Sequence, residues 1–223
     1  MGGWATSRAV VCGRRCAVER FLVDGPEDGA ATFAFAHGAG APMDSGFMAV
    51  VAGGLAERGI RVVRFEFPYM ERRRETGSRG APDRPAVLEA TWRSVVAELG
   101  GGAGLVIGGK SMGGRIASMV ADEVGARGLV CLGYPFHPAG RPERTRTAHL
   151  AELRTPTLMV QGERDTMGNR ADVAGYELSD AIELRWAVDG DHSFKPRKGA
   201  GVTEGENVAW AVGEVAGFIE GLR

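Results

Sequence analysis

A serine with glycines two residues away on either side, Gly109-Lys110-Ser111-Met112-Gly113, stands where a short apolar run at 105–107 gives way to an amphipathic stretch. A turn that sharp between strand and helix strains the serine backbone, and flanking glycines remove the side chains that would collide there. Ser111 Oγ is thereby presented above a sheet edge, while the Met112 N–H at the helix start can face a developing oxyanion. A hydroxyl attacks efficiently only when a base takes its proton. His192, in Gly190-Asp191-His192-Ser193-Phe194, follows the last apolar run, and Asp165, in Gln161-Gly162-Glu163-Arg164-Asp165, follows the run before it. Serine, acid and histidine can therefore converge as nucleophile, orienting carboxylate and base. Taken singly, His192 reads as a solvated loop histidine and Asp165 as a helix N-cap. Asp189, Asp191 and Glu163 are the rival acids.

An oxyanion needs a second donor, and His37-Gly38-Ala39-Gly40 follows the run at 32–36. The Ala39 N–H is the expected partner of the Met112 N–H, with His37 as a hydrogen-bonding structural residue; the bland alternative is an ordinary turn. Gly38, Tyr69, Phe136 and His137 are the candidate substrate contacts. A competing pattern overlaps the serine, because Gly104 to Ser111 satisfies the phosphate-cradling G-x-x-x-x-G-K-[ST]. Residues 105–107 must form the strand itself, however, which leaves no loop to wrap a phosphate, and no apolar strand ends in a magnesium-binding Asp. Nucleotide binding is not expected.

These groups must be held by a scaffold. Short apolar and β-branched runs at 18–23, 32–36, 61–67, 105–107, 128–132, 157–160 and 182–187 read as strands. Stretches at 47–58, 85–99, 112–124, about 143–153, about 172–179 and 207–222 have helical length and periodicity. Their alternation predicts an α/β fold, a mostly parallel, doubly wound sheet with helices on both faces and function at the carboxyl ends of its strands. Residues 68–84 read as an irregular, Arg-rich loop at the site's edge. Arg72, Arg73, Arg74 and Arg79, then Arg141, Arg144 and Arg146, then Lys195, Arg197 and Lys198, form three cationic groups on that rim. Such a rim would attract an anionic acyl substrate or an acidic partner, although charged loops are ordinarily only solvated.

Composition narrows the remainder. A length of 223 residues favours one domain, 1–223, and 44% hydrophobic residues suffice for a core. The net charge of −1 supplies no global attraction to nucleic acid or anionic membrane, so neither is an expected partner. Cys12, Cys16 and Cys131 have neither disulfide nor metal spacing, and no metal or cofactor is implied. No apolar run approaches a membrane span and the start lacks the apolar core of a signal peptide, so a cytoplasmic location is expected. Met1-Gly2-Gly3-Trp4-Ala5-Thr6 matches a myristoylation pattern that a glycine-rich start also produces by chance. Among the basic residues only Lys110, Lys195 and Lys198 are lysines, which fits a high-GC genome. Oligomeric state is not legible here.

The elbow, the His-Gly loop and the chain order Ser, Asp, His resemble the α/β-hydrolase superfamily. More narrowly, six blocks between residues 37 and 198 resemble the small hydrolase-like family that includes testis-expressed protein thirty and subunit three of the NSL chromatin complex. They are His37-Gly38-Ala39-Gly40-Ala41-Pro42-Met43, Phe65-Glu66-Phe67-Pro68-Tyr69-Met70, Gly109-Lys110-Ser111-Met112-Gly113-Gly114-Arg115, Gly133-Tyr134-Pro135-Phe136-His137-Pro138, Gln161 to Asp165, and Asp191-His192-Ser193-Phe194-Lys195-Pro196. The resemblance implies a hydrolase fold of dienelactone-hydrolase-like size with no large cap; this chain departs from the family in a shortened first strand pair at the N-terminal edge of the sheet. It carries the catalytic roles onto Ser111, Asp165 and His192. The expected activity is cleavage of a small-molecule ester or thioester through an acyl-serine. The alternative from another class is a non-catalytic hydrolase-fold interaction module or complex subunit.

Overall fold

The computed structural model describes residues 20–77 and 80–222. Its strands are β1 (Phe21–Asp24), β2 (Thr32–Ala36), β3 (Arg61–Phe65), β4 (Leu105–Lys110), β5 (Gly128–Leu132), β6 (Thr157–Gly162) and β7 (Ile182–Ala187). They form one sheet in the order β1-β3-β2-β4-β5-β6-β7. β1 pairs antiparallel with β3, and every other pair is parallel. A parallel sheet is covered on both faces, and β4, β5 and β6 are accordingly buried at every residue. Along β2 the pleat sends Phe33 and Phe35 to one core and Ala34 and Ala36 to the other.

Helices α1 (Gly46–Ala56) and α6 (Glu204–Gly221) cover the first of these faces, joined there by Leu55, Val208 and Val215. Helices α2 (Pro68–Thr76), α3 (Pro85–Glu98), α4 (Met112–Val120) and the single turn α5 (Arg170–Val173) border the second, whose core includes Trp92 and Ile116. The doubly wound architecture expected from the alternation is present. The β5–β6 connection holds only a short 3-10 turn, Ala148–Leu150, so no large cap stands over the sheet. Among the described residues no helix is long and apolar enough to cross a membrane. The amino-terminal acylation pattern, Cys12, Cys16 and Arg79 lie outside the described residues.

Three local expectations are corrected. Residues 68–76 of the expected loop are helix α2, which starts with Pro68 at its first position and ends on Gly77 in the left-handed region, φ 70°. Proline at the start and glycine past the end are a helix signature. It was masked because only Tyr69 and Met70 of this polar segment are buried. The helix expected near 143–153 is absent: the Arg146 N–H donates to Phe136 O and its carbonyl accepts from Tyr134 Oη, which commits both backbone groups to loop contacts. The helix expected near 172–179 is α5 instead, set by a capping box between Asn169 and Asp172.

Candidate active site

Ser111 sits between β4 and α4 with φ 52° and ψ −116°, a conformation that L-residues avoid. Close packing explains the glycines around it. A Cβ at Gly109 would stand 2.5 Å from Ala36 O, and one at Gly113 would stand 2.6 Å from both Ala36 O and His37 O. The elbow can therefore nest against the end of β2 only with glycine at both positions. β4 continues through Lys110, so even Gly108 and Gly109 are strand residues and the nucleotide pattern has no loop at all. ATP with magnesium is expected to leave the melting temperature unchanged; a magnesium-dependent rise at micromolar ATP would overturn that reading of β4.

The loop after β7 brings His192 Nε2 to 2.8 Å from Ser111 Oγ, and Nδ1 to 2.7 Å from Asp165 Oδ2. A carboxylate only accepts, so Nδ1 carries the proton and Nε2 is left to accept from the serine hydroxyl. Asp165 is fully buried. Its Oδ1 accepts from the Met167 N–H and its Oδ2 from Gln161 Nε2, which locks the carboxylate. The rival acids are occupied elsewhere. Asp189 pairs with Arg164 and Arg197, and Asp191 Oδ1 accepts from the Ser193 and Lys195 N–H groups. Glu163 accepts from the Asp189 N–H and pairs with Arg170.

The loop after β2 lies over the serine: a Cβ at Gly38 would sit 3.6 Å from Ser111 Cβ. Buried His37 anchors that loop, its Nε2 accepting from the Phe67 N–H at 3.1 Å and its Nδ1 donating to Gly38 O at 2.7 Å. Burial depresses the His37 imidazole, which suits a neutral structural ring rather than a second base. Tyr69 Oη donates to Gly38 O or Ala39 O, within 3.3 Å and 3.1 Å. Among the described residues neither the Ala39 nor the Met112 N–H has an acceptor within the protein.

The proposed substrate contacts divide. Gly38 borders Ser111, whereas Tyr69, Phe136 and His137 are buried at 3%, 0% and 2% exposure. Tyr69 supports the loop from behind, and Phe136 packs between Tyr134 and Tyr176. His137 bonds to Pro138 O and to Asp172. All three pack inward, Tyr69 from the first turn of α2 and Phe136 and His137 from the segment after β5, whereas aromatic and polar residues past strand ends read as exposed in the sequence.

Part of the cationic rim is neutralised. Arg72 bonds to Asp83, Arg74 makes a two-pronged contact with buried Glu66 and reaches Asp44, and Arg197 bonds to Asp189. Arg115 and Arg146 have no acidic partner among the described residues. Burial and then repulsion from Arg115 lower Arg146.

Several supporting residues escaped sequence reasoning. Gln161 spans the Tyr134 backbone and Asp165, and Asn207 of α6 donates to Val188 O and Phe194 O, holding the His192 loop. Glu66 and Arg64 grip Met43 N and O beyond the His-Gly loop. A signal existed for Glu66, a lone carboxylate between two phenylalanines, since a buried charge demands partners.

A family described as alpha/beta hydrolase domain matches residues 29–220. Dienelactone hydrolase from Anabaena variabilis superposes with a TM-score of 0.66 at 19% identity, covering 91% of this chain and 92% of that one. An alpha-beta serine hydrolase homologue from Coxiella burnetii gives 0.64 at 19% identity, with 88% and 89% covered. A serine hydrolase without lid from Xanthomonas campestris gives 0.61 at 20% identity, with 90% and 87% covered.

Proposed function

Because the chain belongs to the alpha/beta hydrolase domain family over residues 29–220, we propose that it is a serine hydrolase cleaving carboxylic esters or thioesters through an acyl-enzyme on Ser111. The observation that carries this reading is the unbroken relay Ser111 Oγ to His192 Nε2, then Nδ1 to Asp165 Oδ2, at 2.8 Å and 2.7 Å. The serine attacks the acyl carbon as His192 takes its proton. Collapse of the tetrahedral intermediate returns that proton to the departing alcohol or thiol. Water, deprotonated by the same histidine, then releases the acid. Asp165 holds the tautomer and stabilises the imidazolium. The Ala39 and Met112 N–H groups receive the oxyanion, each worth very roughly 3 kcal/mol of barrier. The narrower kinship with testis-expressed protein thirty and NSL subunit three belongs to this proposal and rests on the six sequence blocks. Covalent capture by a fluorophosphonate tests the reaction class, because it needs an activated serine and is indifferent to the acyl group.

The substrate class follows from unspent charge. Arg115 stands one turn beyond Ser111 in α4, its Nη1 3.6 Å from Met119 Sδ. Arg146 belongs to the β5–β6 connection beside it, its carbonyl pinned by Tyr134 Oη. Two arginines without a carboxylate favour an ester that carries its own anion, through the charge-assisted contacts guanidinium makes best. An ester with a distal carboxylate should exceed a neutral ester of equal length in kcat/KM by about tenfold, the equivalent of one charged hydrogen bond. The advantage should shrink with salt and vanish in the Arg115→Gln, Arg146→Gln double variant, mainly through KM. Equal rates for both esters at low salt would remove the anionic preference and leave the reaction class untouched.

A further inference from the structure

Lys110 ends β4 with a buried cation beside the relay. Its side chain is 9% exposed as a residue, and Nζ donates to the main-chain oxygen of His192 at 2.5 Å. The rings of Phe47 and Phe194 flank it, with centroids 5.5 Å and 5.9 Å from Nζ. Among the described residues it has no ion-pair partner; the carboxylates that act on it from a distance are Asp165 and Asp191. The residue after β5, Gly133, makes room for the contact. A methyl there would stand 2.7 Å from Lys110 Nζ, 2.8 Å from His192 O and 3.5 Å from His192 Cε1. Ammonium, carbonyl and imidazole edge thus border one small space that only glycine leaves open. On the other side, a Cβ at Gly38 would lie 3.7 Å from Lys110 Cγ, so the same side chain also underlies the His-Gly loop.

Burial pushes Lys110 down to about 8 from its ordinary 10.5, against a smaller opposing pull from the two aspartates. The folded state therefore holds this proton less tightly than the unfolded chain. The charge costs stability at every pH below about 8, and the cost fades as pH rises toward 10.5.

We propose that Lys110 is a positioning residue for the base: its ammonium ties the His192 main chain to the strand end that bears the nucleophile, and so holds the imidazole where it can accept the Ser111 proton. The catalytic consequence rests on the serine-hydrolase reading. The coupling itself does not, and it can be measured without turnover.

The test follows the His192 Nδ1 proton, hydrogen-bonded to Asp165, by proton NMR at pH 7 in wild type, Lys110→Met and Lys110→Gln, with melting temperatures alongside. The expected result is a sharp downfield signal in wild type that is lost in Lys110→Met and retained in Lys110→Gln, whose amide can still donate to His192 O. Phosphonylation at pH 7 should slow about tenfold in Lys110→Met and less in Lys110→Gln. An Nδ1 signal unchanged in Lys110→Met, or loss of fold in both variants, would overturn the proposal. If wild type takes no phosphonyl adduct, the serine-hydrolase reading fails, and the Nδ1 signal still decides the lysine.

Discussion

Treatment with a fluorophosphonate is expected to place a single phosphonyl group on Ser111, and Ser111→Ala to take none. The argument turns on a second serine–histidine pair that serves as an internal control. Ser118 Oγ lies 2.9 Å from His149 Nε2, within 0.1 Å of the 2.8 Å contact at Ser111. Ser118, however, donates its own proton to Arg115 O at 2.7 Å and is 3% exposed, and no carboxylate faces His149 among the described residues. Burial and the neighbouring Arg115 both depress His149, which further weakens it as a base. Proximity to a histidine is therefore insufficient; a free proton, an oriented imidazole and an open approach are needed together, and they coincide at Ser111. Ester hydrolysis should fall by roughly 10⁶-fold in Ser111→Ala, since removing the nucleophile removes the covalent route. A peptide mass placing the adduct on Ser118 would sink the elbow assignment. No adduct anywhere would leave the chain as an interaction module built on the fold.

Asp165→Asn should lower kcat by about 10⁴-fold with a small change in KM. The amide nitrogen facing His192 Nδ1 would have to donate, so the imidazole proton moves to Nε2 and points at Ser111, where an acceptor is required. The structure adds a stability effect. Asp165 Oδ2 accepts from both His192 and Gln161 Nε2, so in the variant two amide N–H₂ groups oppose each other in a fully buried place. About 1 to 3 kcal/mol of stability should be lost, the cost of unsatisfied buried donors. Denaturation at neutral pH separates this loss from the kinetic one. Asp189→Asn should reduce stability with little loss of kcat, because Asp189 is held by Arg164 and Arg197 away from the imidazole. The reverse outcome, damage at Asp189 and tolerance at Asp165, would transfer the orienting role.

The sequence by itself determined the sheet and the three residues, Ser111, Asp165 and His192, that the fold brings into hydrogen-bond contact. Strands β2, β5 and β7 match their expected boundaries because β-branched and aromatic runs between turn residues have one compact use in an alternating α/β chain. The serine is legible from its neighbours at 109 and 113, since steric exclusion at a tight turn acts locally. Asp165 and His192 are legible because topology sends the carboxyl ends of the parallel strands to one edge. Tertiary structure alone decided the rest. Whether Arg72, Arg74 or Arg197 is a free charge depends on Asp83, Glu66 or Asp189 lying across a fold, and linear spacing carries no trace of such pairing. Tyr69, Phe136 and His137 face inward for the same reason: the side of a helix or loop that meets solvent is set by what packs beneath it. Lys110 shows the limit most clearly. In the chain it belongs to a nucleotide-like pattern, but the 82 residues separating it from His192 vanish on folding, and a buried ammonium meets the carbonyl of the base. Short-range sterics and periodicity can be read from neighbours in sequence; charge state, burial and contact across the sheet exist only once distant segments share a dielectric environment.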